Sequence, residues 1–202
     1  MLEAAIEGSG LFRRVRVLRE TGSTQDAARG AAAGQPGLIL TAGVQTGGRG
    51  QHGRVWEQGA GLGVAVTYVV GAGDSRRLSM AAGLAALEAC DAMLGVGGRL
   101  GIKAPNDVVT VGEVGARKKL AGVLIEQGGG VGLIGVGINV GQVAHDFPEA
   151  LRDTGTSLRM LGSARARVEV LVALTRAMER WLKTGDVDAA WRARVVDSLP
   201  AR

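Results

Sequence analysis

Four short segments carry residues whose types and spacing could do chemistry. "GGRGQHGRVW" (47–56) sets Arg49 and Arg54 among Gly48, Gly50 and Gly53 and closes on Trp56. Glycines let a backbone approach a ligand closely, and an arginine fork fits carboxylate or phosphate oxygens in pairs. Such a loop can close over an anion, or it can be a surface hairpin with solvated arginines. "KAPNDV" (103–108) presents Lys103, Asn106 and Asp107 around a turn stiffened by Pro105. Read alone, it is also an ordinary turn. "RKKLAGVLIE" (117–126) places Lys119 at the start of an apolar strand, with Gly122 leaving space for a ligand against that strand. "GVGINV" (135–140) puts Asn139 in an otherwise apolar strand, where its amide must find partners.

The glycines at 48, 50 and 53 have the G-x-G-x-x-G spacing of a dinucleotide-binding turn. That reading needs a helix opening at the third glycine. Here Gly53 leads into "RVWEQGAGLGV", whose glycine density rules out a helix. No G-x-x-x-x-G-K-[ST] phosphate loop occurs anywhere in the chain.

The elements that must position these segments follow from periodicity. "RRVRVLR" alternates Arg and Val, which predicts a strand over 12–18 with one wet face. A helix follows from the Ser23 cap to Gly34, and strands are expected at 37–44, 61–70 and 99–103. "SRRLSMAAGLAALEACDAML" (75–94) reads as an Ala/Leu helix capped by Ser75 and stopped by Gly95. Another strand follows Pro105. Segments 118–127 and 131–140 flank "GGG" as an antiparallel hairpin whose second strand, apolar on both faces, belongs in the middle of a sheet. Val168, Leu171, Val172, Met178, Trp181 and Leu182 mark a stripe along a helix at 166–183, and "DVDAAWRARVVDSL" reads as a last helix holding Trp191. The two tryptophans read as core. The whole predicts an α+β domain: a mixed, largely antiparallel sheet flanked by helices.

The order and combination of the segments resemble the catalytic domain of biotin protein ligases. The resemblance rests on "STQ" (23–25), "QTGGRGQHGRVW" (45–56), "KAPNDV", "KKLAGVLIE" and "GVGINV", with "FPEAL" and "TSL" after them, and covers about residues 12–182. It implies the class II aminoacyl-tRNA-synthetase-like fold of the biotin–lipoate ligases. It also implies a two-step reaction: biotin and ATP form biotinyl-5′-adenylate, and a lysine of a biotin carboxyl carrier protein or carboxylase biotin domain then takes the biotin. By position in the motifs, Ser23, Thr24, Gln45, Gly48, Arg49, Gly122 and Lys119 would bind biotin. Arg54, Trp56, Asn106, Asn139 and Gly50 would bind ATP or the adenylate. Lys119, Arg49 and Asp107 would be catalytic, with Asp107 orienting or deprotonating the acceptor lysine. Mg2+ would bridge ATP phosphates, with no dedicated protein metal site.

Three positions depart from the family pattern. Gln25 stands where Asn is usual, Gln51 where the loop usually has a second Arg, and Ala104 where Trp is usual. Gln51 removes a positive charge from the anion-facing loop, which His52 could replace only at lower pH. A lipoate or octanoyl transferase of the same superfamily, and a degenerate biotin-binding module, are the alternatives. A DNA-binding regulator is disfavoured, because only eleven residues precede the first strand. The chain is expected to be one catalytic domain over 1–202, without an N-terminal helix-turn-helix and with the small C-terminal β-barrel of some relatives absent or truncated.

Composition bounds the rest. A net charge of +5 is compatible with anionic partners. The single cysteine, Cys90, cannot form an internal disulfide and falls in the Ala/Leu helix as a small core residue. No apolar run is long enough for a signal peptide or a bilayer span, so the expected location is the cytoplasm, with no membrane or DNA partner. Edge strands of such a sheet can pair between copies, which makes a homodimer possible.

Overall fold

The computed structural model describes residues 7, 9–57, 59–95, 97, 99–112 and 117–197. An eight-stranded sheet organises them, in the order β1-β2-β5-β9-β8-β7-β6-β10. The strands are β1 (Arg14–Thr21), β2 (Leu38–Gln45), β5 (Gly63–Gly71), β6 (Leu100–Lys103), β7 (Asp107–Thr110), β8 (Lys119–Gly128), β9 (Val131–Asn139) and β10 (Val195–Asp197). β1 runs parallel to β2 and β10 parallel to β6, and the other neighbours are antiparallel. The α+β expectation holds, and β9 lies in the middle of the sheet as its two apolar faces require. Its hairpin with β8 turns through Gly129 and Gly130, both at positive φ (61° and 81°), the geometry of a two-residue primed turn.

Strand alternation sorts the core into two layers. Leu38, Leu40, Val69 and Leu133 point to one face, where helix α1 (Thr24–Ala32) covers them with Ala28 and Ala32. Ile39, Val66, Tyr68, Ile134, Val136 and Ile138 point to the other, under α2 (Ser75–Leu94) and α3 (Arg167–Lys183). Cys90 is fully buried in this second layer, and burial pushes its thiol pKa up, which suits a core residue. No described helix is long and apolar enough to cross a membrane.

Several boundaries differ from the sequence expectation. β1 begins at Arg14 and reaches Thr21, while Phe12, fully buried, precedes it. As an edge strand it leaves Val17 67% exposed, because no layer covers that position. The α2 cap is Asp74, whose carboxylate accepts from the Arg76 N–H, so Ser75 is the first helical residue. On α3 the buried stripe runs through Val170, Leu171, Leu174, Ala177 and Met178. Val168 is exposed and Val172 only partly buried, so the face is rotated from the one expected. The last segment is a helix only over α4 (Val187–Arg192). β-branched Val195 and Val196 then join the sheet, with Val196 against Gly101, where a Cβ would meet it at 2.2 Å. Trp181 and Trp191 pack on the core as expected, and the Trp181 indole N–H donates to Glu88.

Candidate active site

Most of the quoted segments arrive at one end of the sheet, and the "KAPNDV" turn lies a few residues in from it, beside Gly122 and Val123 of β8. β5 begins there at Gly63, opposite Asn139 at the end of β9. β8 begins there at Lys119, β1 and β2 end there at Thr21 and Gln45, and antiparallel β7 starts further in, with Asp107 opposite Gly122. On the α1 face a row of small residues crosses four paired strands: Ala42, Ala65, Gly137 and Gly122. α1 starts short of this row, which leaves a shallow floor.

The arginine–glycine segment folds over that floor. It forms a two-stranded hairpin, β3 (Gly48–Arg49) with β4 (Val55–Trp56), closed by a short 3-10 turn at Gln51–Gly53. No helix follows Gly53, so the dinucleotide-turn geometry is absent. Gly48 is obligatory: a Cβ there would lie 2.4 Å from both the Gln45 amide nitrogen and the Trp56 carbonyl. The Trp56 indole lies on the β9 floor, where a Cβ on Gly137 would come within 2.3 Å of Cε2. Its ring edge also reaches Gly122, whose Cβ would meet it at 3.2 Å.

Lys119 stands beside this indole. Its Nζ lies 5.5 Å from the Trp56 ring centroid and 2.7 Å from Asp107 Oδ1. β7 and β8 bring the two together, because Asp107 pairs with Gly122 across the ladder. The backbone of Lys119 is pinned from the far side, its N–H donating to Thr154 O and its carbonyl accepting from Thr156 N–H. Lys103 pairs with Asp107 in register, but its side chain is exposed and the Asp107 carboxylate goes to Lys119.

The start of α1 closes the other side. Ser23, Thr24 and Gln25 are all buried. The Thr24 backbone N–H and hydroxyl both donate to Gln45 Oε1, at 2.9 and 3.0 Å, and the Thr67 hydroxyl donates to Thr24 Oγ1. Ser23 occupies the cap position without a side-chain cap bond. Thr67 was not among the expected site residues. Its signal in the sequence is a lone hydroxyl in the apolar run "GVAVTYVV".

Arg49 is held by two carboxylates. Its guanidinium makes a bidentate pair with Asp26 on α1, at 2.6 and 2.9 Å, and also binds Glu126 on β8, which pairs with Arg29. The bond to Asp26, aided by Glu126, raises the Arg49 pKa, and the same bond holds the Asp26 carboxyl below its usual range. Arg54, by contrast, is exposed and makes no ion pair among the described residues. Gly50 positions it, donating its N–H to the Arg54 carbonyl.

Both asparagines are spent on the protein. Asn106 is buried, with its amide donating to the Val123 carbonyl. Asn139 donates to Thr156 O at 3.0 Å and accepts from Gln142 Nε2, which ties β9 to the segment carrying "TSL".

The arrangement therefore has a cation and a carboxylate in contact, an aromatic wall, a glycine floor and a pocket of hydroxyl and amide groups at one sheet end. Such an arrangement offers a cation for an anionic head at Lys119 and hydrogen-bonding groups for a small polar ring at Thr24 and Gln45.

The chain is similar in sequence and fold to known proteins. A biotin--[acetyl-CoA-carboxylase] ligase of Mycobacterium tuberculosis is 37% identical over 182 residues, 85% of this chain, and the chain spans 65% of that relative's length. A biotin protein ligase from Aquifex aeolicus, solved in complex with biotin and ATP, superposes with a TM-score of 0.76 at 27% identity, over 92% of this chain and 79% of that one. A Leishmania major biotin protein ligase, solved with biotinyl-5-AMP, shares the fold at a TM-score of 0.76 and 22% identity, over 94% of this chain and 84% of that one. Residues 16–142, well over half the chain and containing all the site segments named above except "FPEAL" and "TSL", match the profile of one family. The chain belongs to the Biotin/lipoate A/B protein ligase family.

Proposed function

We propose that this chain joins biotin to a lysine of a biotin carrier protein, using ATP and passing through biotinyl-5′-adenylate. The observation that carries the reading is the Lys119–Asp107 pair against Trp56, set over the Gly122–Gly137 floor. Two anions, the biotin carboxylate and the ATP α-phosphate, must meet for the carboxylate oxygen to attack phosphorus and expel pyrophosphate. Lys119 is placed to offset their repulsion and the charge that develops on the phosphoryl oxygens. Ser23, Thr24 and Gln45 hold the ureido end, with Gly48 and Gly122 giving the ring room against the backbone. Trp56, Arg54 and Gly50 cover the adenylate, and Asn106 and Asn139 border it. Arg49 contributes by fixing the hairpin to α1 and β8. The adenylate hydrolyses readily, so covering it serves to exclude water.

In the second step Asp107 accepts a proton from the incoming lysine amine, which attacks the acyl carbon and releases AMP. Asp107 reaches this role by exchanging its partner Lys119 for the acceptor amine, two ammonium groups of the same kind. Mg2+ would enter with ATP, and Asp107, half-buried beside Lys119, is the carboxylate placed to face it. When bound the ion neutralises phosphate charge. The partner is a biotin carrier domain, and β1, with Val17 exposed, is the edge through which a second copy would pair.

The test is transfer itself. The chain is incubated with ATP, Mg2+, biotin and a purified biotin carrier domain, and attached biotin is read by avidin blot. ATP-dependent labelling of the carrier supports the reading. A carrier that stays unlabelled while the chain binds biotin would reduce the protein to a binding module.

A further inference from the structure

Gln25 departs from the family pattern and holds a buried acceptor that the protein leaves unpaired. The residue is 4% exposed. Its Nε2 donates to the Leu124 carbonyl at 2.8 Å, which fixes the amide orientation, because only the nitrogen side can donate to a carbonyl. Oε1 is then left buried without a hydrogen-bond partner. A buried amide oxygen in that state costs free energy unless something else satisfies it.

The donors of Thr24 and Thr67, which flank the amide across Gly135, are already used: the Thr67 hydroxyl proton is committed to Thr24, and the Thr24 hydroxyl and backbone protons are committed to Gln45. Gly135, paired with both Leu124 and Thr67, provides the space that the longer side chain needs: a Cβ there would lie 2.5 Å from Gln25 Nε2 and 3.1 Å from Cδ. The glycine and the glutamine thus fit one another. On the same side of the pocket the Gln45 amide has its oxygen occupied and its nitrogen without a protein acceptor among the described residues.

We infer that Gln25 is a specificity-determining residue whose Oε1 accepts an N–H of the substrate ring, opposite a carbonyl held by Gln45. A ureido ring offers an N–H donor next to a C=O acceptor and satisfies both. A dithiolane ring, as in lipoate, offers neither and would leave Gln25 Oε1 buried and unpaired. Rejection by an unpaired polar group is stronger than rejection by shape alone. The inference rests on the biotin reading and deepens it, by naming the residue that reads the ring.

The experiment compares wild type with Gln25→Met, which keeps the volume and removes the acceptor. Titration calorimetry gives the Kd for biotin and for its two cyclic carbamate analogues, each with one ureido N–H replaced by oxygen. Gln25→Met should raise the Kd for biotin and for one carbamate by about 5- to 100-fold, the range for leaving one buried neutral donor unpaired. The other carbamate, which lacks the N–H that faces Gln25, should bind wild type and variant alike. Parallel losses for all three ligands, or an unchanged Kd for biotin, would overturn the role. Wild type that binds no biotin at all would instead overturn the ligase reading, and this role with it. If Gln25→Met does not fold, Gly135→Ala displaces the same amide and should give the same pattern across the three ligands.

Discussion

The floor beneath Trp56 can be tested with one methyl group. In Gly137→Ala the new Cβ would sit 2.3 Å from Trp56 Cε2, 2.5 Å from Cζ2 and 2.7 Å from Nε1. Carbon atoms rest at about 3.5–4.0 Å, so the indole must withdraw by about 1 Å or more. The obstructing atoms belong to a rigid ring, not to the tip of a flexible chain, so a small rotamer adjustment does not relieve the clash. Gly137 lies in the middle of the sheet, paired with Ala65 and Gly122, so the strand cannot yield. The hairpin carrying Trp56 is a separate two-stranded ladder and can lift. Overpacking costs about 1–3 kcal/mol in a closed core, and with the hairpin free to move the cost falls at the lower end, about 1 kcal/mol. For a chain of this size that lowers Tm by about 2–4 °C. The larger effect is on the site. A lifted indole loses its place beside Lys119, and the cover over the adenylate opens. In a Trp181→Phe, Trp191→Phe background the remaining indole emission reports Trp56 alone. The expected result is a red shift in emission, a KM for ATP raised about tenfold and adenylate that hydrolyses faster in single turnover. Wild-type emission and wild-type KM in Gly137→Ala would refute the placement of Trp56 on the β9 floor.

Lys119→Ala should separate activity from stability: a partly exposed ion pair contributes at most about 1 kcal/mol to folding, whereas loss of the cation facing the phosphoryl group should lower adenylate formation at least 100-fold. Near-normal pyrophosphate exchange in that variant would remove Lys119 from the mechanism. Asp107→Asn should form adenylate at close to the wild-type rate and transfer it slowly to the carrier, as rapid-quench measurement of the two steps would show. Gln51→Arg restores the usual positive charge to the loop and should slow adenylate dissociation by about 5-fold or more, read by filter binding; an unchanged off-rate would show that position 51 does not face the intermediate. The Asp26–Arg49 pair sets a pH dependence. Asp26 titrates lower in the folded chain than its ordinary value of 3.8, so its stabilising contribution is complete above that value and is lost as pH falls through the lowered one. Asp26→Asn should flatten the fall in Tm on acidification through that range.

Much of the fold was legible because it is local. The α2 stop at Gly95 and the β8–β9 turn are written in glycines that take positive φ, and the central place of β9 in an apolar run. The edges were less legible. Whether Val195 and Val196 extend a helix or join β6 depends on an open sheet edge and on Gly101, almost a hundred residues away. The same distinction runs through the site. Lys119, Asp107 and Trp56 come together from three separate motifs. The partners of Arg49 did not show, because Glu126 lies 77 residues from it and has no spacing that marks it. Gln25 was visible only as an unusual residue. That its oxygen is unpaired shows only in the folded chain, where Gln25 Nε2 bonds to Leu124, 99 residues away.

The central claim is that the chain activates biotin as an adenylate, and biotin-dependent exchange of labelled pyrophosphate into ATP tests it most directly. The account predicts exchange that requires biotin and Mg2+, is not supported by lipoate and is lost in Lys119→Ala. Biotin binding without exchange, or exchange supported by lipoate, would contradict it.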